Sequence, residues 1–185
     1  TRFAHSGYGV YYAKNSKANF SAPLKGYRQT TFRAELRAIV HVLSTAVDHT
    51  VIKTDCKSVA DMCNKIIEHL NQRNETELVN EEGAMVIGGR TSHLHKQSIN
   101  KRPWDLEKNG DIWQSIEEAV EEKGPKSVKI TKVKGHATSE MVVEGLVKEQ
   151  DKEGNDISDL AANKGAEETE LIAAAVGFVY ARRHK

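Results

Sequence analysis

Thr50-Val51-Ile52-Lys53-Thr54-Asp55-Cys56-Lys57-Ser58 is a short β-branched run that ends on an acid, and behind it Val59, Met62, Cys63, Ile66, Ile67 and Leu70 recur at helical spacing. The pattern predicts a strand followed by a helix, with Asp55 at the C-terminal end of the strand, where open α/β sheets place their sites. Upstream, Phe32, Leu36, Ile39, Val40 and Leu43 fall at i, i+4, i+7, i+8 and i+11. That is an amphipathic helix, capped by Thr30 or Thr31 and ending near Ala46. Earlier still, Gly7 to Ala13 and Ala18 to Ala22 are aromatic-rich runs separated by Lys14-Asn15-Ser16-Lys17, which reads as an antiparallel hairpin. Downstream, Asp111 to Lys123 is helical with Gly124-Pro125 as its stop, and Ser127 to Lys134 alternates Val128, Ile130 and Val133 with polar residues as a half-exposed strand. The chain closes with helix from Asn155 through an Ala-rich run. This order predicts a mixed α/β sheet covered by helices.

The 185 residues, 38% hydrophobic and 29% charged, suit one globular domain. Lys plus Arg 27 against Asp plus Glu 26 leaves a net charge of +1, which excludes binding through a strong overall positive field, so any nucleic-acid contact is local. Cys56 and Cys63 suit neither a tight disulfide nor a zinc site and read as reduced thiols, which points to an intracellular protein. No signal peptide is present, and the longest apolar run, Leu171 to Ala181, is shorter than the roughly 20 residues of a spanning helix, so no membrane partner is expected. The chain begins without Met, so an upstream part is expected. Residues 71–103 lose periodicity and read as a long insertion, acidic first and basic second; 139–154 reads as another, with one or two helical turns around Val142, Val143, Leu146 and Val147. The expected organisation is a domain over 1–168 carrying both insertions, then a helical tail over 169–185.

Three acids stand in contexts that a shared site requires. Glu35 lies near the start of the first helix and borders its buried stripe, Asp55 leaves a strand, and Asp159 occupies the first turn of the last helix, where the dipole favours negative charge. Taken singly, each has a plainer reading as a solvated, capping or dipole-stabilised acid. Taken together, they are the hard oxygen ligands that phosphodiester hydrolysis with divalent ions needs. His136 leaves a strand in Lys134-Gly135-His136-Ala137-Thr138; a lone His after Gly is usually a surface residue, but with a pKa near 6.5 it can also move a proton. His93 and His95 lack a third ligand and read as a solvated loop.

The order Glu, Asp, His, Asp, carried by Arg33-Ala34-Glu35-Leu36-Arg37-Ala38, Ile52 to Ser58, Lys132 to Thr138 and Gly154 to Gly165, resembles the ribonuclease H family from Tyr8 to about Ala166. The resemblance implies a ribonuclease H-like α/β fold, a mixed five-stranded sheet flanked by helices. It implies a metal-dependent endonuclease that hydrolyses the RNA strand of RNA/DNA hybrids with two ions, Mg²⁺ or Mn²⁺, held by Glu35, Asp55 and Asp159. His136 then matches a histidine on a mobile loop that assists proton transfer or product departure. The family's first, central strand carries a further metal-binding Asp; Gly7-Tyr8-Gly9-Val10 resembles the start of the second strand, so the first is expected upstream of Thr1. Arg28, Thr30 and Asn109 match residues that hold a DNA phosphate, an arrangement of charged fork and neutral donors that suits an anion. Thr31 stands where the family contacts the hybrid's sugars, Phe32 joins the core stripe, and Ile66 and Leu70 replace tryptophans of the DNA channel. The resemblance fits a stand-alone enzyme or the ribonuclease H part of a retroelement polyprotein. The alternative is a catalytically degenerate module of that fold, a structural or nucleic-acid-binding subunit of a larger assembly. A DEDD-type exonuclease is disfavoured, because its early Asp-x-Glu pair is absent.

Overall fold

The computed structural model describes residues 5–83, 99 and 102–183. In chain order these form β1 (Gly7–Val10), β2 (Phe20–Pro23), α1 (Thr31–Thr45), β3 (Thr50–Thr54), α2 (Lys57–Gly83), α3 (Gly110–Lys123), β4 (Val128–Lys132), α4 (Ser139–Val143) and α5 (Glu149–Arg183), with 3-10 turns at Trp104–Leu106 and Pro125–Ser127. β1 and β2 pair antiparallel, Gly7 opposite Pro23 and Val10 opposite Phe20. The hairpin strands are shorter than the aromatic runs, because Asn19 takes the chain out of the ladder: its side chain accepts from the Tyr12 N–H at 2.8 Å and donates to the Ala13 carbonyl at 2.8 Å. β3 and β4 pair parallel, Thr50 opposite Val128 and Thr54 opposite Lys132. Along β3 the side chains of Thr50, Ile52 and Thr54 are buried while Val51 and Lys53 are exposed, the period-two alternation of a strand with one covered face.

α1 begins at Thr30, whose hydroxyl oxygen accepts from the Arg33 N–H at 3.2 Å. Its buried residues Leu36, Ile39, Val42 and Leu43 join Val59, Cys63, Ile66 and Leu70 of α2 and Ile112, Trp113, Ile116 and Val120 of α3 in one core, closed by Ile52, Val128 and Ile130 from the strands. α5 lies against β1 so closely that a Cβ on Gly7 or Gly9 would overlap its backbone at Ala162 and Ser158. Glycine at these strand positions is what lets the helix reach the sheet.

Two helices exceed their sequence-based limits. α2 continues to Gly83, through the first part of the stretch expected to be irregular. The residues after Leu70 have no apolar stripe, and where α2 passes α3 an ion pair joins the two, Arg73 with Glu121 at 2.7 Å. α5 starts at Glu149 instead of Asn155 and runs without a break to Arg183. Its first turns are polar, and ion pairs hold them: Lys53 with Asp151 and Lys152 with Asp156, each at 2.5 Å. Asp159 therefore sits in the third turn, beyond the reach of the N-terminal dipole invoked for it. His93 and His95 lie outside the described residues.

Among the described residues the sheet is in two halves, β2-β1 and β4-β3, with no ladder between β1 and β3. A cavity of about 960 Å³ separates them, walled by both strands, α1 and α5. Both cysteines are free; Cys63 is fully buried, and its thiol is pushed up to about 12 chiefly by that burial. No described helix is long and apolar enough to cross a membrane. Because Ile116 is fully buried at the centre of the core, Ile116→Ala is expected to cost about 2–5 kcal/mol of stability, measured by urea unfolding at unchanged m-value.

Candidate active site

The register of β3 on β4 decides where the acidic group forms. Val133 extends the ladder by donating its N–H to the Thr54 carbonyl at 2.9 Å, so the two chains leave the sheet side by side. One exit carries Asp55 and the other Gly135 and His136. A Cβ on Gly135 would overlap the Asp55 carboxylate, with Asp55 Cβ and Cγ also within 3.1 Å. The loop therefore lies directly on the acid. Glu35 reaches the same place from α1, where the Thr54 hydroxyl donates to its Oε2 at 3.3 Å. Asp159 comes in from α5, steadied by the Asn155 amide at 3.3 Å, and its Oδ2 is 3.8 Å from Nδ1 of His136. His136 itself is 88% exposed and in the left-handed region, φ 51°. The three acids open onto the cavity between the sheet halves.

Electrostatics binds these acids into one group. Burial, then the charge of Asp55, pushes the Glu35 carboxyl up from 4.5 to about 7, with the Thr54 hydrogen bond opposing and Asp159 adding to the rise. Asp159 is likewise raised, by burial and Asp55, against the lowering effect of His136. Such mutual repulsion is relieved by a cation, and carboxylate oxygens are the donors that Mg²⁺ and Mn²⁺ favour. Among the described residues, no three His, Cys, Asp or Glu side chains by themselves form a group that could hold a metal ion. The donor chemistry fits a divalent ion, and the set calls for a further ligand.

The sequence-derived phosphate ligands fall around the starts of α1 and α3. Arg28 is exposed, with its guanidinium 5.5 Å from the Tyr27 ring centroid. Thr30 is the α1 cap and Thr31 is exposed beside it. Asn109 precedes α3 in the left-handed region and is only 3% exposed. Phe32 packs against Trp113, ring centroids 6.3 Å apart, as a core residue. Four contributors escaped the sequence reading: Thr54, Asn155, Gly135 and Arg33. Arg33 had a signal, since it stands three residues before Leu36 on the buried stripe of α1, and a cation there requires a buried partner. The other three act through contacts that only the fold creates.

The family model of RNase H matches residues 2–167. No curated protein matches the chain.

Protonation of Glu35 is linked to stability. Its folded pKa lies above its unfolded value, so between about pH 4.5 and about pH 7 the folded protein holds the extra proton and stability falls as pH rises. Metal-free Glu35→Gln is therefore expected to match the unaltered protein below about pH 4 and to exceed it by about 3 kcal/mol at pH 8, as read from urea unfolding at both pH values.

Proposed function

The chain belongs to the RNase H family, and on that premise we propose that it is a metal-dependent endonuclease cutting the RNA strand of RNA/DNA hybrids. The observation that carries this reading is the convergence of Glu35, Asp55 and Asp159 from three elements on one end of the sheet, with His136 beside Asp159. Glu35, Asp55 and Asp159, with a further carboxylate, would hold two divalent ions, which when bound would stabilise the charge on the attacking and leaving oxygens of a phosphodiester. The chain's own residues do the rest. Thr54 and Asn155 fix the orientation of Glu35 and Asp159. His136, exposed on a loop, is placed to accept or deliver a proton at Nδ1 or Nε2 near the scissile group. Arg28, Thr30 and Asn109 hold a phosphate of the DNA strand, Arg28 through charge and the others as neutral donors, and Thr31 meets a sugar hydroxyl of the hybrid.

The same reading places a fifth strand in the cavity between β1 and β3. A strand there would pair with both free edges, complete a mixed five-stranded sheet and bring a further carboxylate beside Glu35 and Asp55. The second reading is a module of the same fold that binds nucleic acid without cutting it. Cleavage decides between them.

With Mg²⁺ or Mn²⁺ the protein is expected to cleave the RNA of a labelled hybrid, and Asp55→Asn to lose activity by several orders of magnitude while keeping its circular dichroism spectrum, because an amide of the same size is a poor ligand. His136→Ala is expected to slow turnover by about 10² fold. Hybrid binding without cleavage would select the module.

A further inference from the structure

We propose that Arg33 is a positioning residue: it leaves Thr30 and Asn109 each with a donor that no protein group satisfies and so prepares the anion contact made with the hybrid's backbone. The inference rests on the hybrid-binding reading above and adds a residue to it.

Arg33 is 9% exposed and forms a two-pronged pair with Asp111, in which Nη1 meets Oδ1 at 2.8 Å and Nη2 meets Oδ2. Nη1 also donates to Oδ1 of Asn109 at 3.2 Å. A guanidinium has donors only, so the Asn109 side chain must turn its oxygen toward Arg33 and its NH₂ away. That NH₂ is buried and has no partner. Leaving a buried donor unpaired is costly, yet the pairing with Arg33 enforces it. The same residue acts on Thr30 through its backbone, since the Arg33 N–H occupies the hydroxyl oxygen at 3.2 Å. The Thr30 O–H is then left to donate, and no acceptor for it is found among the described residues. Two neutral donors are thus left unpartnered around one buried residue, with the exposed charge of Arg28 two positions before Thr30. Donors without acceptors near an exposed cation suit an anion, and a phosphate oxygen accepts from both kinds of group.

Asp111 has the complementary role of fixing Arg33. Its carboxyl is held below the ordinary range, first by the hydrogen bond from Arg33. Lysine in place of Arg33 keeps the charge but has no planar fork, so it cannot face Asp111 and Asn109 together.

The test measures the affinity of the protein for an RNA/DNA hybrid in Ca²⁺, together with kcat and KM in Mg²⁺, for Arg33→Lys, Asn109→Ala and their combination. Each single variant is expected to weaken binding about tenfold, with KM raised and kcat retained, and the double variant to be no weaker than either single one. Additive losses, or a fall in kcat with KM unchanged, would overturn the positioning role. Asn109→Asp provides a second arm that leaves Arg33 in place. It is expected to fold at least as stably, because Arg33 gains a charged partner, and to bind hybrid more weakly than Asn109→Ala, because an acceptor now faces the phosphate. Binding by Asn109→Asp equal to that of the unaltered protein would also overturn the proposal. No hybrid binding by the unaltered protein would instead remove the functional reading on which the proposal stands.

Discussion

Thr54 stands opposite Lys132, and the parallel ladder runs one residue further when Val133 donates to the Thr54 carbonyl. Everything at the site follows from that register. Because the strands are parallel, both chains leave at the same end, so Asp55 and the Gly135-His136 loop emerge as neighbours despite their distance in sequence. A slip of one residue would turn Asp55 to the other face and bury Lys53 in place of Thr54. Ile52 and Ile130, both nearly fully buried, oppose that slip through the core they share with α1, α2 and α3. Core packing thus holds the charged end in place.

The acids assembled there repel one another. Glu35 is largely withdrawn from water with Asp55 and Asp159 for company, and its response is to hold a proton near neutrality. Strain of this kind is typical of sites built for a charged ligand, since the same groups are stabilised once a cation arrives. The second polar cluster carries no net charge, since Arg33 and Asp111 offset each other. Arg33, Asn109 and Asp111 satisfy each other except for one buried amide group, which points to a negatively charged partner. The two clusters lie at opposite ends of one short segment of α1, Thr30 to Glu35. A single helix start therefore links the proposed phosphate contact to the acidic group.

Much of this was legible in the sequence, and the failures share one cause. β3, the core stripes of α1 and α3 and the cap at Thr30 were written in local apolar period and capping chemistry, which read directly. The polar stretches of α2 after Leu70 and of α5 before Asn155 were not, because they carry no apolar period and are tied to the fold by ion pairs such as Arg73 with Glu121 and Lys53 with Asp151, to which periodicity is blind. The acids Glu35, Asp55 and Asp159 were identified through their joint context, and the structure brings them together. The dipole argument for Asp159 failed with the helix boundary on which it relied. Gly135 gave no local sign of its role: its missing side chain matters only because Asp55, 80 residues earlier in the sequence, fills the space.

The central claim is that Glu35, Asp55 and Asp159 form one cation-binding centre. Titration of Mn²⁺ into isotopically labelled protein, followed by paramagnetic broadening of backbone resonances, measures this most directly. The account predicts that broadening begins at Glu35, Asp55, Gly135, His136 and Asp159 together, at one common metal concentration, and that Asp55→Asn weakens it at all of them. Broadening that starts instead at the acidic turns Glu149 to Glu153, or that reaches the three acids at separate concentrations, would contradict it.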